Sequence, residues 1–283
     1  MDLEKETRFI LNKYNITANK NYGQNFLIDE FTVNNIVEKS EVNKNDLIIE
    51  IGPGLGTLTA LLLEKAGKVI CIELDPKMIT ILNERFALYN NFELINNDIL
   101  KVDLRKLITE NSNFKNVKVV ANLPYYITTP IIMKLLEDKL DLKTITVMVQ
   151  KEVAKRLAET PGGKETASIT YTINYYTNPE IILEVSKECF IPSPKVDSAV
   201  LQLSVLNEPK IKVLDEKLFF QIIKFAFMQK RKTLINSISN SGLVSKEFLE
   251  KMLNDLNIDS KIRAEQLSLE DFGKISDYVT KNN

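Results

Sequence analysis

The 283-residue sequence contains no histidine and no tryptophan, and it has only two cysteines, Cys71 and Cys189. The absence of histidine excludes Ser-His and Cys-His catalysis and removes the usual general base at neutral pH. Two cysteines without histidine cannot build a zinc site, so we expect no metal centre. Any chemistry must use carboxylates, tyrosines, amides or backbone groups, or must need little proton transfer.

Long apolar runs and a strong charge bias are also missing. No stretch approaches the ~20 apolar residues of a membrane span, and residues 1–6 are too polar for a signal peptide. We therefore expect a cytoplasmic protein with no membrane partner. The net charge is −1, from 37 basic and 38 acidic residues. A nucleic-acid partner would thus need basic residues gathered locally.

Three of the nine glycines, Gly52, Gly54 and Gly56, stand at every second position directly after an apolar run. Residues 47–51 predict a buried strand, and the residues after Gly56 predict a helix. Glycine lacks a Cβ, so a ligand can approach the backbone, and a helix N-terminus offers unpaired N–H groups. The turn therefore predicts a site for a polar ligand at the edge of a sheet.

The chain beyond this turn alternates short apolar runs with helical patterns. Strand-like runs occupy 68–73, 92–96, 117–121 and 144–150, and helical patterns occupy 57–66, 76–89, 103–111 and 129–138. This order predicts an α/β fold with a doubly wound, mostly parallel sheet. Pattern alone leaves residues 167–177 open between helix and strand. Residues 215–283 show only helical periodicity, which predicts one domain over 1–208 and a small all-helical domain over 209–283.

Polar groups follow four consecutive predicted strands. The first strand ends in the glycine turn, and the next three are followed by Glu73, Asp98 and Asn122. Ligands of such sheets bind at the carboxyl ends of the strands. A helix cap would explain Asp98 about as well, but four groups at one edge favour a single site.

The glycine spacing indicates which ligand this site takes. Dinucleotide-binding turns have the spacing G-x-G-x-x-G and hold a pyrophosphate, whereas the spacing here is G-x-G-x-G. The tighter turn suits a nucleoside without pyrophosphate, such as S-adenosylmethionine. Glu73 would then accept the ribose hydroxyls, and Asp98 would accept the adenine amine. An NAD-dependent enzyme on the same fold is the alternative.

The run Asn122-Leu123-Pro124-Tyr125 predicts a clamp for an amino group. Pro124 cannot donate a backbone hydrogen bond, whereas the Asn122 side-chain oxygen and a nearby carbonyl can accept two. The lone pair of an amine on an aromatic base is delocalised into the aromatic ring. Holding both amine hydrogens out of the ring plane returns the lone pair to the nitrogen, so positioning can replace a strong base. Tyr125 and Phe190 are predicted to sandwich the unstacked base, with Phe190 exposed by its proline-rich loop. Tyr126 fits packing as well as stacking.

These motifs resemble the ribosomal RNA adenine dimethyltransferase family, the small-subunit enzymes that make N6,N6-dimethyladenosine. The matching stretches, in family order, are KNYGQNFLID (20–29), IEIGPGLGTLT (49–59), IELDPKM (72–78), NDIL (97–100), VANLPYYI (120–127), VQKEVAKRL (149–157), FIPSPKVDSAV (190–200), FAFMQKRKTL (225–234) and RAEQLSLEDF (263–272).

The resemblance implies a class I methyltransferase domain, Rossmann-like, with a small helical C-terminal domain. It implies S-adenosylmethionine as donor and two adjacent adenines in a hairpin loop near the 3′ end of small-subunit rRNA as target. The donor site implied by the resemblance and the glycine turn comprises Asn25, Leu27, Gly52, Gly54, Gly56, Glu73, Asp98 and Asn122. The target-base site comprises Asn122, Pro124, Tyr125 and Phe190.

Basic residues within two of these stretches suggest an RNA surface. We predict that it comprises Lys151, Lys155, Arg156, Lys230, Arg231 and Lys232, and that its binding weakens with salt. An ordinary solvated charge cluster is the alternative. The chain departs from the common family pattern at 164–168 and at Lys230, which leaves the RNA contacts open.

Two further functions stay open beside the small-subunit enzyme, which we expect to be a monomer. One is a methyltransferase of large-subunit rRNA adenine, of the macrolide-resistance type. The other is a ribosome-assembly or RNA-binding factor that uses the fold without catalysis.

Overall fold

The computed structural model describes residues 2–19, 22–229 and 231–282. The strands are β1 Phe26–Leu27, β2 Asp46–Ile51, β3 Lys68–Glu73, β4 Phe92–Asn96, β5 Asn116–Asn122, β6 Thr144–Gln150, β7 Thr177–Val185, β8 Phe190–Ile191 and β9 Ser198–Val205. The helices are α1 Leu3–Lys13, α2 Glu30–Lys39, α3 Thr57–Lys65, α4 Pro76–Phe86, α5 Leu104–Glu110, α6 Thr128–Glu137, α7 Lys151–Ala158, α8 Ser168–Tyr176, α9 Glu216–Phe227, α10 Leu234–Ser239, α11 Lys246–Asp255 and α12 Leu269–Asn282.

The main sheet has the strand order β4-β3-β2-β5-β6-β9-β7. The strands β4, β3, β2, β5 and β6 pair in parallel, and β9 pairs antiparallel with β6. Helices connect the parallel strands, as crossover connections require. The predicted α/β fold with a mostly parallel sheet is therefore confirmed, and so is the helical C-terminal region.

Helix starts follow capping rules that are local in sequence. Asp29 precedes α2, and its carboxylate accepts the N–H of Thr32 at 2.8 Å. Asp75 caps α4 in the same way, and Pro76 occupies the first turn, where its missing N–H costs nothing. The N-terminus of α3 has a different cap, Gly56, with φ of 83°.

The stretch that the pattern left open, residues 167–177, is the helix α8 followed directly by β7. Residues 169–175 are all buried in this helix. A helix that is apolar or buried on every side has no polar face, so its sequence shows no clear 3.6-residue period. Strand β7 then runs from Thr177 to Val185.

The chain divides into two compact units. The first comprises Met1–Ala154 and Glu180–Val205, and the second comprises Lys155–Pro179 and Leu206–Asn283. The second unit thus includes α8, a segment that precedes the predicted boundary at 208. The division into functional domains 1–208 and 209–283 stays a prediction.

Each unit has its own apolar core. In the first unit, α2, α3 and α4 bury residues such as Val37, Leu62 and Leu82 against the sheet. In the second unit, the aromatic rings of Tyr171 and Phe272 meet edge to face, with 4.9 Å between their centroids. The Tyr171 hydroxyl lies 2.7 Å from the Leu267 carbonyl oxygen and 3.1 Å from that of Ala264.

A buried ion pair joins the amino ends of β2 and β5, at the edge of the sheet opposite the strand ends that carry the predicted site. The Lys118 Nζ lies 2.9 Å from the Asp46 carboxylate, and both side chains are almost fully buried. Lys118 also donates to the backbone carbonyls of Ser40 and Glu41. Asn116 donates to the other Asp46 oxygen at 2.8 Å. These partners compensate for burying two charges.

No helix within the described residues is long and apolar enough to cross a membrane. Over the same residues, no group of three or more Cys, Asp or Glu side chains converges as a metal site would require.

Candidate active site

A cavity with an empty volume of about 1060 Å³ lies at the carboxyl ends of β2, β3 and β5. Most of the predicted site residues line it: Asn25, Leu27, Gly52, Gly54, Glu73, Asp98, Asn122, Pro124 and Tyr125. The structure thus brings together the groups that follow four strands in the sequence, while the role of each residue stays a prediction.

The glycine turn has a backbone shape that other residues rarely adopt. Gly52, Gly54 and Gly56 have φ of +66°, +58° and +83°. A Cβ at Gly54 would lie 3.6 Å from the Phe26 ring, and one at Gly52 would lie 3.9 Å from Pro124. These two glycines line the cavity, and bare backbone there leaves room for a ligand.

Gly56 allows α3 and α4 to pack closely and does not line the cavity. It is not among the cavity-lining residues, and a Cβ there would lie 2.5 Å from the Phe86 ring of α4. Its predicted contact with the donor has no support in this geometry. The close approach of α3 to α4 explains the third glycine of the turn.

Glu73 is held by the backbone around it. Its carboxylate accepts N–H groups from Leu74 and Asp75, each at 2.8 Å, and from Gly54 at 3.2 Å. Burial raises the pKa of Glu73, and these hydrogen bonds oppose the rise. Each carboxylate oxygen has two lone pairs, so acceptor capacity remains for a ligand hydroxyl.

Asp98 caps the short 3-10 helix Ile99–Lys101, since its Oδ1 accepts the N–H of Leu100 at 3.0 Å. The helix cap that could explain Asp98 by itself is therefore present. Asp98 also lines the cavity, so the cap and the predicted adenine contact are compatible.

Residues 22–27 close the cavity on one side. The side chain of Gln24 donates to Asp75 at 2.8 Å, and that of Asn122 donates to the backbone oxygen of Asn25 at 3.4 Å. Strand β1 then pairs antiparallel with β8. Residues Tyr22, Gly23 and Gln24 line the cavity; this local sequence carries no recognisable ligand motif, and only the family resemblance indicates the loop.

The carbonyl groups around Pro124 differ in availability. The Pro124 carbonyl accepts the N–H of Ile127 at 3.1 Å and the Thr128 hydroxyl at 3.3 Å. Two hydrogen bonds occupy both of its lone pairs. The neighbouring carbonyl of Leu123, a cavity-lining residue, is then the better candidate for the second acceptor of the predicted clamp beside Asn122.

The two tyrosines after Pro124 have different surroundings. Tyr125 is partly buried, and its hydroxyl lies 2.7 Å from the Oγ of Ser198. Burial raises the pKa of Tyr125, so the phenol is neutral at physiological pH. Tyr126 is 59% exposed, and its ring covers Gly23 at the mouth of the cavity. Both rings line the cavity, and Tyr126 does not pack into the core.

Phe190 corrects one expectation. Its side chain is only 2% exposed, it belongs to the core of the first unit, and it is not among the cavity-lining residues. The proline-rich loop does follow it, but β8 pairs with β1 so that Phe190 faces Leu27, and this pairing buries the ring. The expected exposure is wrong, and stacking of Phe190 on a base stays a prediction that requires the ring to become accessible.

Glu50 is a cavity residue that sequence reasoning missed. It is 1% exposed, and its carboxylate accepts the Thr59 hydroxyl at 2.6 Å and the Cys71 thiol at 3.4 Å. Burial raises the pKa of Glu50 to about 7. Burial and the nearby Glu50 also raise the pKa of Cys71, which keeps that thiol protonated and inert. A carboxylate inside an otherwise apolar strand was the available signal.

The predicted basic surface is only partly described. Lys155, Arg156, Arg231 and Lys232 are exposed. Lys151 belongs to the first unit, where its Nζ pairs with Glu184 at 2.7 Å. Lys230 lies outside the described residues. RNA binding by this set stays a prediction.

Comparisons with known proteins place this site in a family. A model of the family "Ribosomal RNA adenine dimethylase" matches residues 15–281. Two relatives called "Ribosomal RNA small subunit methyltransferase A" are each 50% identical to the chain. The one from Clostridium botulinum matches over 96% of this chain and 98% of its own length, and the one from Clostridium acetobutylicum over 98% and 99%.

Solved structures agree with the fold. A dimethyladenosine transferase from Plasmodium falciparum has a TM-score of 0.73 and 27% identity, and the match covers 88% of this chain and 95% of the other. The 23S rRNA methyltransferase ErmE has a TM-score of 0.68 and 23% identity over 90% and 100% of the two chains, a likeness that shows the fold alone. With the family match over nearly its whole length, the chain belongs to the ribosomal RNA adenine dimethylase family.

Proposed function

We propose that this protein transfers methyl groups from S-adenosylmethionine to the exocyclic N6 amine of two adjacent adenines in a 3′-terminal hairpin loop of small-subunit rRNA. Each adenine becomes N6,N6-dimethyladenosine, a modification with a role in small-subunit biogenesis. The observation that carries the proposal is the position of Asn122-Leu123-Pro124-Tyr125, which lines the same cavity as the glycine turn, Glu73 and Asp98. The predicted donor site and the predicted amine clamp therefore line the same cavity.

The residues present fit S-adenosylmethionine. The left-handed Gly52 and Gly54 offer backbone without side chains, and Glu73 and Asp98 supply carboxylates one strand and two strands away. When bound, this cofactor supplies a methyl group on a positively charged sulfur. We assign the donor to Gly52, Gly54, Glu73 and Asp98, and we assign no contact to Gly56.

The clamp acts by orienting the amine. The Asn122 side-chain oxygen and the Leu123 carbonyl would accept the two amine hydrogens, and Tyr125 would support the base by its ring face. Two fixed acceptors hold the nitrogen lone pair out of conjugation and pointing at the methyl group, which lowers the barrier by positioning. The proton leaves a cationic product afterwards, so a chain without histidine can carry out the reaction.

Replacement of Asn122 by alanine tests this role. We expect methylation of immature small ribosomal subunits to fall at least about 100-fold, because one of two preorganised acceptors is lost, while affinity for the subunit changes little. The measurement is incorporation of radiolabelled methyl groups together with a subunit-binding assay. Asn34→Ala, an exposed asparagine of α2, is the matched control. Equal incorporation by Asn122→Ala and wild type would exclude the clamp mechanism, whereas no incorporation by the wild type would favour a non-catalytic binding factor.

Substrate choice needs a second experiment. Salt-matched assays on immature small and large subunits should show methylation of the small subunit, as the names of the relatives suggest. Methylation of the large subunit alone would instead assign the activity to a large-subunit rRNA adenine. That the protein works as a monomer in the cytoplasm stays a prediction, which sizing of the pure protein and cell fractionation would check.

A further inference from the structure

The hydroxyl of Tyr125 makes a hydrogen bond whose partner has no role in the proposed chemistry so far. The Tyr125 Oη and the Ser198 Oγ are 2.7 Å apart. Ser198 is completely buried, whereas Tyr125 lines the cavity. The bond therefore runs from a cavity wall into a fixed part of the interior.

Ser198 is fixed because it belongs to the sheet. It opens β9, and it pairs with Gln150 at the end of β6. The backbone next to it is tied as well, since the N–H of Lys151 donates to the carbonyl of Asp197 at 3.0 Å. A hydroxyl held by a strand on one side and by backbone hydrogen bonds on the other has little freedom to move.

The preceding residue, Asp197, anchors a second part of the proposed site. Its Oδ1 accepts the N–H of Lys187 at 3.0 Å, at the start of the 3-10 helix Lys187–Cys189 that leads directly into Phe190. Adjacent residues, Asp197 and Ser198, thus hold the segments that carry both aromatic residues of the predicted base site.

The place of the hydrogen bond on the tyrosine matters. The hydroxyl oxygen lies on the long axis of the ring, at the end farthest from the backbone, so a bond there fixes the direction of that axis and limits rotation about χ1 while leaving the ring faces uncovered. A stacking platform needs a fixed position and a free face. Removal of the bond would let the ring tilt, and small losses of orientation are costly in reactions that depend on positioning.

We propose that Ser198 is a positioning residue for methyl transfer, which holds the Tyr125 ring in the position that the target adenine requires. The inference rests on the proposed function and deepens it. Ser198 acts through Tyr125 and touches neither donor nor base. The alternative is that the bond only satisfies a buried hydroxyl. In that case, loss of the bond would change the stability of the protein without a specific change in kcat.

The test is a double-mutant cycle with Ser198→Ala and Tyr125→Phe, assayed on immature small subunits with S-adenosylmethionine. Each single variant should lower kcat about 3- to 10-fold, the range that one neutral hydrogen bond supports. The double variant should be no slower than either single variant, because both remove the same bond. Affinity for S-adenosylhomocysteine, measured by calorimetry, should stay at the wild-type value.

Two further variants separate positioning from folding. Ser198→Thr keeps a hydroxyl and should recover a large part of kcat. Ser204→Ala removes an exposed serine from the same strand and should match wild type. Should Ser198→Ala fail to fold, Tyr125→Phe alone still tests the positioning role, because it removes the hydrogen bond and retains the ring.

The outcomes are distinct. Wild-type kcat in Tyr125→Phe, or multiplying losses in the double variant, would overturn the positioning role while leaving the proposed function intact. No methylation of small subunits by wild-type protein would instead refute the proposed function itself.

Discussion

Replacement of Glu50 by glutamine should change how the stability of the protein depends on pH. Burial raises the pKa of this carboxyl from 4.5 to about 7. The folded state therefore binds more protons than the unfolded state between these values, and stability falls as the pH rises through this range. The stability that Glu50 contributes through its raised pKa is fully present below pH 4.5 and is lost above about pH 7.

The size of the effect follows from the pKa. At about 1.4 kcal/mol per pKa unit, the rise corresponds to a loss of about 3 kcal/mol between pH 4.5 and 8. A glutamine side chain has nearly the same shape, and its oxygen can still accept the Thr59 hydroxyl, but it does not titrate. Its amide group shifts stability by a constant amount, so the informative quantity is the slope with pH.

The sequence makes this measurement unusually direct. With no histidine in the chain, no side chain with an ordinary pKa between 5 and 8 obscures the slope. Burial also raises the pKa of Glu73. Its charge contributes to the raised pKa of Glu50, so the difference between wild type and variant reports Glu50 together with this interaction.

The assay is urea unfolding followed by circular dichroism at several pH values from 5 to 8.5. Relative to wild type, Glu50→Gln should gain about 2.5 kcal/mol between the lowest and the highest pH. Glu64→Gln, an exposed glutamate of α3, controls for the loss of one carboxylate and should keep the wild-type slope. Parallel pH curves for wild type and Glu50→Gln would refute the buried, proton-holding carboxyl.

Three further substitutions test the fold. Lys118→Met should cost about 3–5 kcal/mol in urea unfolding, because it leaves its buried carboxylate partner unpaired; a loss under about 1 kcal/mol would contradict the buried pair. Tyr171→Phe should cost about 1–3 kcal/mol in thermal unfolding, because the hydroxyl lies within hydrogen-bond distance of two buried carbonyls, and no change in Tm would show that water replaces it. Gly56→Ala should cost more than Gly242→Ala, because both positions have positive φ but only the first Cβ meets a ring, that of Phe86 at 2.5 Å; equal losses would mean that backbone strain alone matters.

Much of the fold could be read from local patterns. Apolar runs of five to seven residues between helical segments predicted the parallel strands. The glycine turn and the groups after each strand were recognisable because a parallel sheet brings its strand ends to one edge. The secondary structure of residues 167–177 could not be predicted, because a helix buried on all sides has no polar face to reveal its period.

The sequence by itself determined the fold class, and it predicted the donor site at the glycine turn and the amine clamp at Asn122, since short motifs in the chain carry each of these. Only the tertiary structure decided the burial of Phe190, the raised pKa of Glu50 and the bond between Tyr125 and Ser198, which are 73 residues apart. The physical reason is that burial, desolvation and long-range pairing depend on which elements pack together. No local periodicity records that information.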